Sequence, residues 1–296
     1  MSTLDVRVAA VRAEAQGVKA FVLESLTGAP LPPFAPGAHV EVRAPRARTG
    51  DAWRAYSIAS DPADTQVYEI GVLRAGEVGV SAWLHDQVSA GDVVTARAPH
   101  NGFPLAETAA EHVLLAGGIG ITPLLAMARW LERRGGRYRL VASARSPERL
   151  AFRGALARLA ADRVRLHYSG SEGRLDLAAA IGAPASGRHL YVCGPNAMVQ
   201  EARRAARELG WDDGVRVARE HAAAGDRSLS VGPAARGTKP RPRGRSSCDD
   251  EPAITGGQGG AGGRGLGGPA GKRQNAVWTR AGSAAAVSRR GRQGHP

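Results

Sequence analysis

The chain has 296 residues, enough for one large domain or two ordinary ones, and 43% of them are hydrophobic, which allows a sizeable core. Residues 225–296 hold 13 of the 40 Lys and Arg but only 4 of the 27 Asp and Glu, so this tail contributes +9 of the net charge of +13. Because most of the excess basic charge lies in the tail, the composition argues against a folded, specific nucleic-acid-binding face.

The predicted location is the cytoplasm. Only two cysteines occur, Cys193 and Cys248, so no disulfide framework is implied. Residues 1–15 lack the apolar stretch of a signal peptide, and the longest uncharged run, residues 113–128, is too short and too broken to span a bilayer. The eight histidines show no metal-ligand spacing, so we expect no metal site.

The first part of the chain has the pattern of antiparallel β structure. Short strands are predicted at residues 6–8 and 20–23, and alternation with period 2 indicates strands at 37–43 and 68–73. Turn residues separate the strands, which favours a small barrel. A short helix is predicted at residues 81–88.

From His112 the pattern changes to alternating strands and helices. Strands are predicted at 113–116, 138–143, 164–168, 190–193 and 215–217, and helices at 122–134, 147–159, 175–181 and 195–209. Thr122 is predicted as the N-cap of the first of these helices, with Pro123 at its first position. This alternation predicts a parallel, doubly wound sheet.

After residue 224 these patterns end. Residues 225–296 contain 17 Gly, 11 Arg and only six Leu, Ile or Val, too little apolar surface to offset the entropy of ordering the chain. We therefore expect three parts: a barrel domain at 1–106, an α/β domain at 107–224 and a disordered tail at 225–296.

Three motifs have the residue types of a cofactor site. The first is LLAGGIGITP (114–123), a strand, a glycine-rich turn and a helix N-terminus, which together suit a phosphate. The second is RAYS (54–57), in which the Arg guanidinium can bind a phosphate, the Tyr offers a flat ring and the Ser offers a hydroxyl. The third is YVCGP (191–195), at the end of a parallel strand. Each also has a purely structural interpretation: a tight turn, an exposed Arg beside a half-buried Tyr, and a buried thiol.

In this order, the motifs resemble the ferredoxin–NADP reductase superfamily, in particular the group of phthalate dioxygenase reductase and the vanillate demethylase reductase subunit. The resemblance covers roughly residues 4–221. It rests on RAYS (54–57), GVSAWLHD (79–86), PHNGFPL (99–105), AGGIGITP (116–123), SARSPERLAF (143–152) and YVCGP (191–195). It implies a six-stranded flavin-binding barrel followed by an NAD(P)H-binding α/β domain.

The resemblance also implies residue roles. In the barrel, the expected flavin ligands are Arg54 and Ser81 at the phosphate, Tyr56 and Ser57 at the ring, and Val72 and Leu73 on the next strand. In the α/β domain, the residues expected near the nicotinamide dinucleotide are Gly117, Gly118, Ile119, Gly120, Ser143, Arg145, Gly194, Pro195 and Glu220. The residues expected to take part in catalysis are Thr122 at the flavin–nicotinamide junction, Cys193 beside the nicotinamide, and Ser57.

The implied cofactors are FMN and NADH. PHNGFPL resembles the FMN-using branch more than the FAD-using branch, and that branch commonly uses NADH. Arg145 near the ribose leaves NADPH open. In the family, NADH gives a hydride to the flavin, which passes electrons on singly. The resemblance therefore implies an NAD(P)H-dependent flavoprotein reductase that serves a Rieske-type aromatic-ring oxygenase or demethylase.

The sequence departs from the family in three places. The turn at residues 77–81 lacks an Arg and a Gly that are common near the flavin phosphate site in the family. The family's last strand ends in Glu-x-Phe or similar, whereas Glu220-His221-Ala222 stands here. Relatives carry a ferredoxin domain after this point, and its 2Fe-2S cluster needs four thiolates. With Cys193 and Cys248 alone we expect no cluster, and hence a separate ferredoxin or Rieske oxygenase component as partner. The tail composition suggests a frameshift that replaced the ferredoxin domain, which sequencing of the locus would test.

A second hypothesis is a non-catalytic or defective product whose basic tail binds polyanions without specificity. Deleting residues 225–296 would separate the two hypotheses: NADH oxidation should survive the deletion, and polyanion binding should not.

Overall fold

Two sheets of different kinds follow one another along the chain in the computed structural model. The structure describes residues 2–47, 50–211 and 214–219. All of these residues belong to the first of two compact units into which the chain divides, Met1–Thr238 and Lys239–Pro296. The predicted tail at 225–296 therefore lies outside the described residues.

The first sheet is antiparallel and has six strands in the order β4-β3-β6-β1-β2-β5. Its strands are β1 (Thr3–Ala15), β2 (Val18–Ser25), β3 (His39–Ala47), β4 (Gly50–Ser57), β5 (Val67–Leu73) and β6 (Val93–Arg97). Alternate residues point inward, as Val40 and Val42 of β3 do, because successive side chains of a strand face opposite sides. Strand β6 has no counterpart among the predicted elements.

The two edge strands of this sheet come together, so the sheet curls into a barrel. Directly after β4, Ile58 forms an antiparallel bridge with Ile70 of β5, and the N–H of Ala59 donates to the carbonyl oxygen of Glu69 at 2.7 Å. Helix α1 (Val80–Gln87) packs against the apolar interior of the barrel through buried residues such as Leu84. The predicted barrel is confirmed.

The second sheet is parallel and has five strands in the order β11-β10-β7-β8-β9. Its strands are β7 (Glu111–Gly117), β8 (Tyr138–Ala144), β9 (Val164–Tyr168), β10 (Arg188–Gly194) and β11 (Val215–Arg219). The helices are α2 (Ile121–Arg133), α3 (Arg153–Leu156), α4 (Ser169–Glu172), α5 (Leu177–Ile181) and α6 (Asn196–Glu208). The predicted doubly wound α/β lobe is confirmed.

Both faces of the parallel sheet are buried. Leu114 and Ala116 of β7 pack on the face covered by α2 and α3, and Val113 and Leu115 pack on the face covered by α5 and α6. The first of these apolar clusters continues into the barrel, where it includes Val18, Ala20 and Ala59. The two lobes therefore share this apolar cluster, whereas the barrel interior forms a cluster of its own.

One predicted helix, at residues 147–159, is wrong. The segment instead contains a 3-10 turn (Pro147–Arg149) and the short helix α3, with Phe152 between them at φ 61°. A residue with left-handed backbone angles cannot continue a right-handed helix. Tertiary contacts hold Phe152 in this conformation, so they override the local helical pattern. Helix α4, a single turn, has no counterpart among the predicted elements.

Within the described part of the chain, no helix has the length and apolar character needed to cross a membrane. In the same residues, no group of three or more His, Cys, Asp or Glu side chains is arranged to hold a metal ion.

Candidate active site

The carboxyl ends of the parallel strands form one edge of the α/β lobe. At this edge Gly117 of β7 pairs with Ser143 of β8, and Cys193 of β10 pairs with Ala116 of β7. Because the strands run in the same direction, the segments that follow them begin side by side, which is where open α/β sheets bind ligands. We call residues 117–120 the glycine turn and residues 193–195 the β10 turn.

The glycine turn and the β10 turn pack backbone against backbone. A Cβ atom on Gly120 would lie 2.5 Å from the carbonyl carbon of Cys193 and 2.7 Å from the nitrogen of Gly194. A Cβ atom on Gly194 would lie 3.0 Å from the Cα of Gly117, and one on Gly117 would lie 2.9 Å from Cδ of Pro195. Backbone atoms leave no room for a side chain at Gly120 or Gly194, and side-chain atoms of the β10 turn and α6 fill the space beside Gly117, so this close approach requires glycine.

The glycine turn leads directly into helix α2. Gly118 has φ 54°, the left-handed region that glycine adopts without steric cost, and it begins a 3-10 turn that ends at Gly120. The amino end of the 13-residue helix α2 therefore lies at the carboxyl edge of the sheet. The helix dipole makes this a favourable place for a phosphate group.

The prediction that Thr122 caps α2 is wrong. The capping position is occupied by Gly120, and Thr122 lies inside the first turn with 4% of its surface exposed. The N–H of Ile121 already bonds to Gly118 and Ile119 carbonyl oxygens, because the 3-10 turn continues into the helix. The Thr122 hydroxyl instead donates to the carbonyl oxygen of Ile119 at 3.0 Å, which ties the helix to the glycine turn.

The barrel contributes the side chains of Arg54, Tyr56 and Ser57 on β4. Arg54 is exposed, and its one hydrogen bond to the described residues is a 3.4 Å contact with the carbonyl oxygen of Trp53. Tyr56 and Ser57 are half-buried. Burial raises the pKa of Tyr56 well above its ordinary value, although the charge of Arg54 acts in the opposite direction. A cationic fork near a neutral phenol suits a phosphate attached to a flat ring.

Ser81 lies in the first turn of α1, after the loop that leaves β5. Its hydroxyl oxygen accepts a hydrogen bond from the N–H of Ala75 at 3.2 Å, so it already holds this loop in place. Val78, near the middle of the loop, is 87% exposed. The loop therefore presents an apolar side chain to solvent at the position where the resemblance predicts a phosphate site.

Val72 and Leu73 end strand β5 beside this loop. Val72 is buried and Leu73 is half-buried. The ring nitrogen Nε2 of His85 in α1 lies 2.9 Å from the carbonyl oxygen of Val72. This contact fixes α1 against the strand predicted to pass the flavin.

Gly71 of β5 is the point where the barrel meets the glycine turn. A Cβ atom there would lie 2.8 Å from Cγ2 of Thr122, 3.0 Å from Cδ1 of Ile119 and 2.8 Å from Cε2 of Phe152. The residue before Gly71 in β5 is Ile70, which forms a β-bridge with Ile58, the residue directly after the RAYS motif. The RAYS motif and the glycine turn are therefore joined through two neighbouring residues of β5.

Polar contacts between α2 and the barrel reinforce this junction. The Arg129 guanidinium donates to the carbonyl oxygen of Ala59 at 2.6 Å and to the Glu69 carboxylate at 3.1 Å. Arg133 donates to the Asp61 carboxylate at 2.7 Å. Glu69 also pairs with Arg12 of β1. Because Arg129 and Arg133 are both on α2, polar contacts join this helix to the barrel along one turn of its length.

Ser143 and Arg145 lie at the end of β8, beside the glycine turn. Ser143 is half-buried and Arg145 is exposed. The N–H of Gly170 donates to the carbonyl oxygen of Arg145 at 2.9 Å, and a Cβ on Gly170 would lie 2.6 Å from that oxygen. The segment after β9 thus supports the backbone at Arg145.

One predicted site residue has not been placed, and three residues of the junction were not predicted. Glu220 lies outside the described residues. Gly71, Phe152 and Glu14 belong to the junction but have no role in the sequence-based prediction. A glycine inside the buried strand pattern YEIGVL marks close approach by another backbone or ligand, and this pattern would have indicated Gly71. Phe152 ends the motif SARSPERLAF (143–152), but no local pattern indicates its contact with Glu14, because that contact joins distant parts of the chain.

The fold and this edge define a class: ferredoxin–NADP reductase-like proteins. Among solved structures, phthalate dioxygenase reductase is 32% identical with a TM-score of 0.67, covering 74% of this chain and 68% of that chain. That protein is described as a modular structure for electron transfer from pyridine nucleotides to [2Fe-2S]. A ferredoxin NADP⁺ reductase from Neisseria gonorrhoeae, with bound FAD and NADP, is 19% identical with a TM-score of 0.63, which shows similarity of fold alone.

No family model matches the chain. The vanillate O-demethylase oxidoreductase of Pseudomonas putida is 38% identical over 240 residues, 77% of this chain and 73% of that protein. The carnitine monooxygenase reductase subunit of Escherichia coli (strain K12) is 39% identical over 209 residues, 69% of this chain but only 64% of that protein. The chain belongs to the ferredoxin–NADP reductase superfamily, in the group of phthalate dioxygenase reductase and the vanillate O-demethylase oxidoreductases.

Proposed function

We propose that the chain is an NADH-dependent flavoprotein reductase that delivers electrons through FMN to a one-electron acceptor. Its acceptor system is a Rieske-type aromatic-ring oxygenase or demethylase. The observation that supports this most strongly is the junction at Gly71, where a strand of the barrel touches Ile119 and Thr122 of the α/β lobe. A ring bound along β5 and a second ring bound at the glycine turn would meet at this junction.

The barrel residues fit a flavin phosphate and ring. Arg54 is exposed and makes no ion pair with the described residues, so its fork is available to a phosphate. Tyr56 and Ser57 follow on the same strand and lead to the bridge beside Gly71. On this basis we assign flavin binding to residues 1–106.

The α/β residues fit a nicotinamide dinucleotide. Three of the four residues of the glycine turn are glycines, so a phosphate can approach their backbone closely, and the helix dipole of α2 favours an anion there. Cys193 lies at the carboxyl end of β10, next to the glycine turn, with 5% of its surface exposed. Ser143 and Arg145 lie at the end of the neighbouring strand β8, where the adenosine ribose is expected. We assign nucleotide binding to residues 107–224, of which the structure describes residues 107–211 and 214–219.

The chemistry of the proposed reaction belongs to the bound groups. A flavin held at Arg54, Tyr56 and Ser57 would supply the ability to accept a hydride from a reduced nicotinamide and to release electrons one at a time. The residues of the chain orient the rings and exclude water. Thr122 and Cys193 are both buried, so they provide a dry contact surface and no proton relay is required of them.

We also propose that the acceptor is a separate ferredoxin or the oxygenase component itself. The two relatives described above are named as components of monooxygenase and demethylase systems. A plant-type 2Fe-2S cluster needs four thiolates, whereas residues 1–296 contain two cysteines. In this proposal residues 1–296 hold no such cluster and pass their electrons to one held elsewhere.

The test is the visible spectrum of the purified full chain, before and after NADH is added without oxygen. We expect a yellow protein that bleaches with NADH, and mass spectrometry of the released cofactor should identify FMN. NADH should give a higher kcat/KM than NADPH. A colourless protein that binds neither FMN nor FAD would overturn the proposal, and iron–sulfur absorbance would overturn the proposed separate acceptor.

A further inference from the structure

Phe152 has a backbone conformation that is unfavourable for its side chain. Its φ is 61° and its ψ is 25°, and among the described residues it is the one non-glycine residue with positive φ. The side chain is 1% exposed. Such outliers persist where the surrounding structure holds them in place, and they are frequent at functional sites.

Contacts from the barrel hold Phe152 in this conformation. Its backbone N–H donates to Oε2 of Glu14 in β1 at 3.2 Å, across 138 positions of the sequence. Four residues before Phe152, the carbonyl oxygen of Glu148 accepts a hydrogen bond from the N–H of Gln16 at 2.8 Å. The end of the β1–β2 hairpin therefore binds the segment 148–152 through two hydrogen bonds.

The ring of Phe152 fills the space between the two halves of the proposed site. Its Cε2 atom, Cγ2 of Thr122 and Cδ1 of Ile119 all approach within 3.0 Å of the place where a Cβ on Gly71 would stand. The ring thus contacts β5 at the same point as the glycine turn does. Moving the ring would free both Ile119 and Thr122 to shift relative to β5.

We infer that Phe152 is a positioning residue, which the Glu14 carboxylate holds so that its ring sets the separation between the glycine turn and the flavin strand. This inference rests on the proposed function. Phe152 is buried and meets Ile119 and Thr122 at Gly71, so in this inference its effect is exerted through these two residues. A displacement near 1 Å at reacting groups can reduce a rate by about 100-fold.

The first test compares F152L with F34L. Phe34 is also a buried Phe, but it packs inside the barrel core against Tyr68. For F152L we expect single-turnover bleaching by NADH to slow by about 10- to 100-fold, with flavin affinity unchanged. F34L should lose thermal stability without this slowing. If F152L bleaches as fast as the wild type, the inference is wrong.

A second measurement does not depend on activity. Hydrogen exchange of the backbone amides in residues 117–122, measured without nucleotide, should be faster in F152L than in the wild type and in F34L. A purely structural role would confine the faster exchange to residues 150–160, and that result would contradict the inference.

A third test removes the hydrogen bond and keeps the ring. E14A leaves the Phe152 N–H without its acceptor, whereas E14Q retains an amide oxygen at the same place. We expect E14A to slow bleaching and to speed exchange in residues 117–122, and E14Q to recover most of both. Equal behaviour of E14A and wild type would overturn the role of Glu14. If the wild-type protein itself binds no flavin, the proposed function fails and the exchange experiment alone decides the inference.

Discussion

The two halves of the proposed site are built in different ways. On the barrel side, Arg54 and the loop around Val78 are exposed, and the predicted ligands are side chains. On the α/β side, Gly120 and Gly194 pack against neighbouring backbone with no room for a Cβ atom. One half therefore depends on which side chains are present, and the other depends on side chains being absent.

This difference has consequences for tolerance to change. An exposed side chain is replaced without disturbing the fold, so substitutions in the barrel half should change affinity in graded steps. A glycine between two backbones has no such freedom, because backbone atoms cannot move aside as the end of a flexible side chain can. Substitutions in the glycine turn should therefore abolish nucleotide use abruptly. Four substitutions test this comparison.

The largest effect is expected from G120A. The added methyl group would overlap the backbone at Cys193 and Gly194, which costs about 1–3 kcal/mol of stability and displaces the glycine turn. We expect the rate of NADH-dependent bleaching to fall by at least about 100-fold. The FMN site is distant from Gly120, so the binding free energy of FMN should change by about 0.5 kcal/mol or less. The FMN affinity, measured by fluorescence titration, should therefore stay within about twofold of the wild type.

The matched control for G120A is G154A. A Cβ on Gly154 would meet only Nη1 of Arg158, at 4.0 Å, which is an ordinary contact. G154A should bleach like the wild type. Full activity of G120A would show that the turn does not need the close backbone approach.

R54A should have the next largest effect, and it acts on the other half. Loss of a charged hydrogen-bonding partner costs about 1.5–3 kcal/mol, so FMN should bind about 10- to 100-fold more weakly. The KM for NADH measured with saturating FMN should be unchanged. R165A, which removes an exposed arginine from β9 in the other lobe, serves as the control. Unaltered FMN affinity of R54A would exclude Arg54 as the phosphate ligand.

A smaller effect is expected from C193A. The Cys193 side chain is buried next to the glycine turn, so loss of the sulfur should cost about 1 kcal/mol of unfolding free energy, as for other small deletions in a core. We expect kcat with NADH to fall severalfold and FMN affinity to be retained. If kcat and the KM for NADH both equal those of the wild type, Cys193 does not contact the nicotinamide.

The smallest effect is expected from Y56F, and it appears only at high pH. Burial raises the pKa of Tyr56 in the folded protein, so the phenol stays neutral while an unfolded tyrosine ionises near its ordinary pKa of about 10. The stabilising contribution is thus complete below about pH 10 and is lost as the pH rises above it. Y56F should lose less stability than the wild type above about pH 10, as measured by thermal unfolding, and identical pH profiles would contradict the burial of this hydroxyl.

Local sequence patterns predicted most elements because their causes are local. The parallel strands have continuous apolar runs, and α2 and α6 have apolar faces that recur with the helical period. The segment 147–159 also has helical residues, yet the structure breaks it at Phe152. The deciding contact is with Glu14, which no window of the sequence around Phe152 contains.

The candidate site divides in the same manner. The glycine turn was predictable because its residues are adjacent in sequence and the steric reasons for Gly117, Gly118 and Gly120 are local or involve a neighbouring strand. Thr122 was assigned the wrong place because a 3-10 turn before α2 moves the start of the helix to Ile121. The contact at Gly71 depends on how the barrel sits against α2, which Arg129 and Glu69 determine over 60 positions of sequence.

The apolar cluster shared by the lobes limits how such proteins can be recombined. Val18, Ala20 and Ala59 of the barrel pack in the same cluster as Leu125 and Phe152. A chimera that takes residues 1–106 from one relative and the remainder from another would join surfaces that were shaped for different neighbours. Exchanging positions 125 and 152 together with the barrel should restore expression of such hybrids, whereas a crossover at the linker alone should yield aggregated protein.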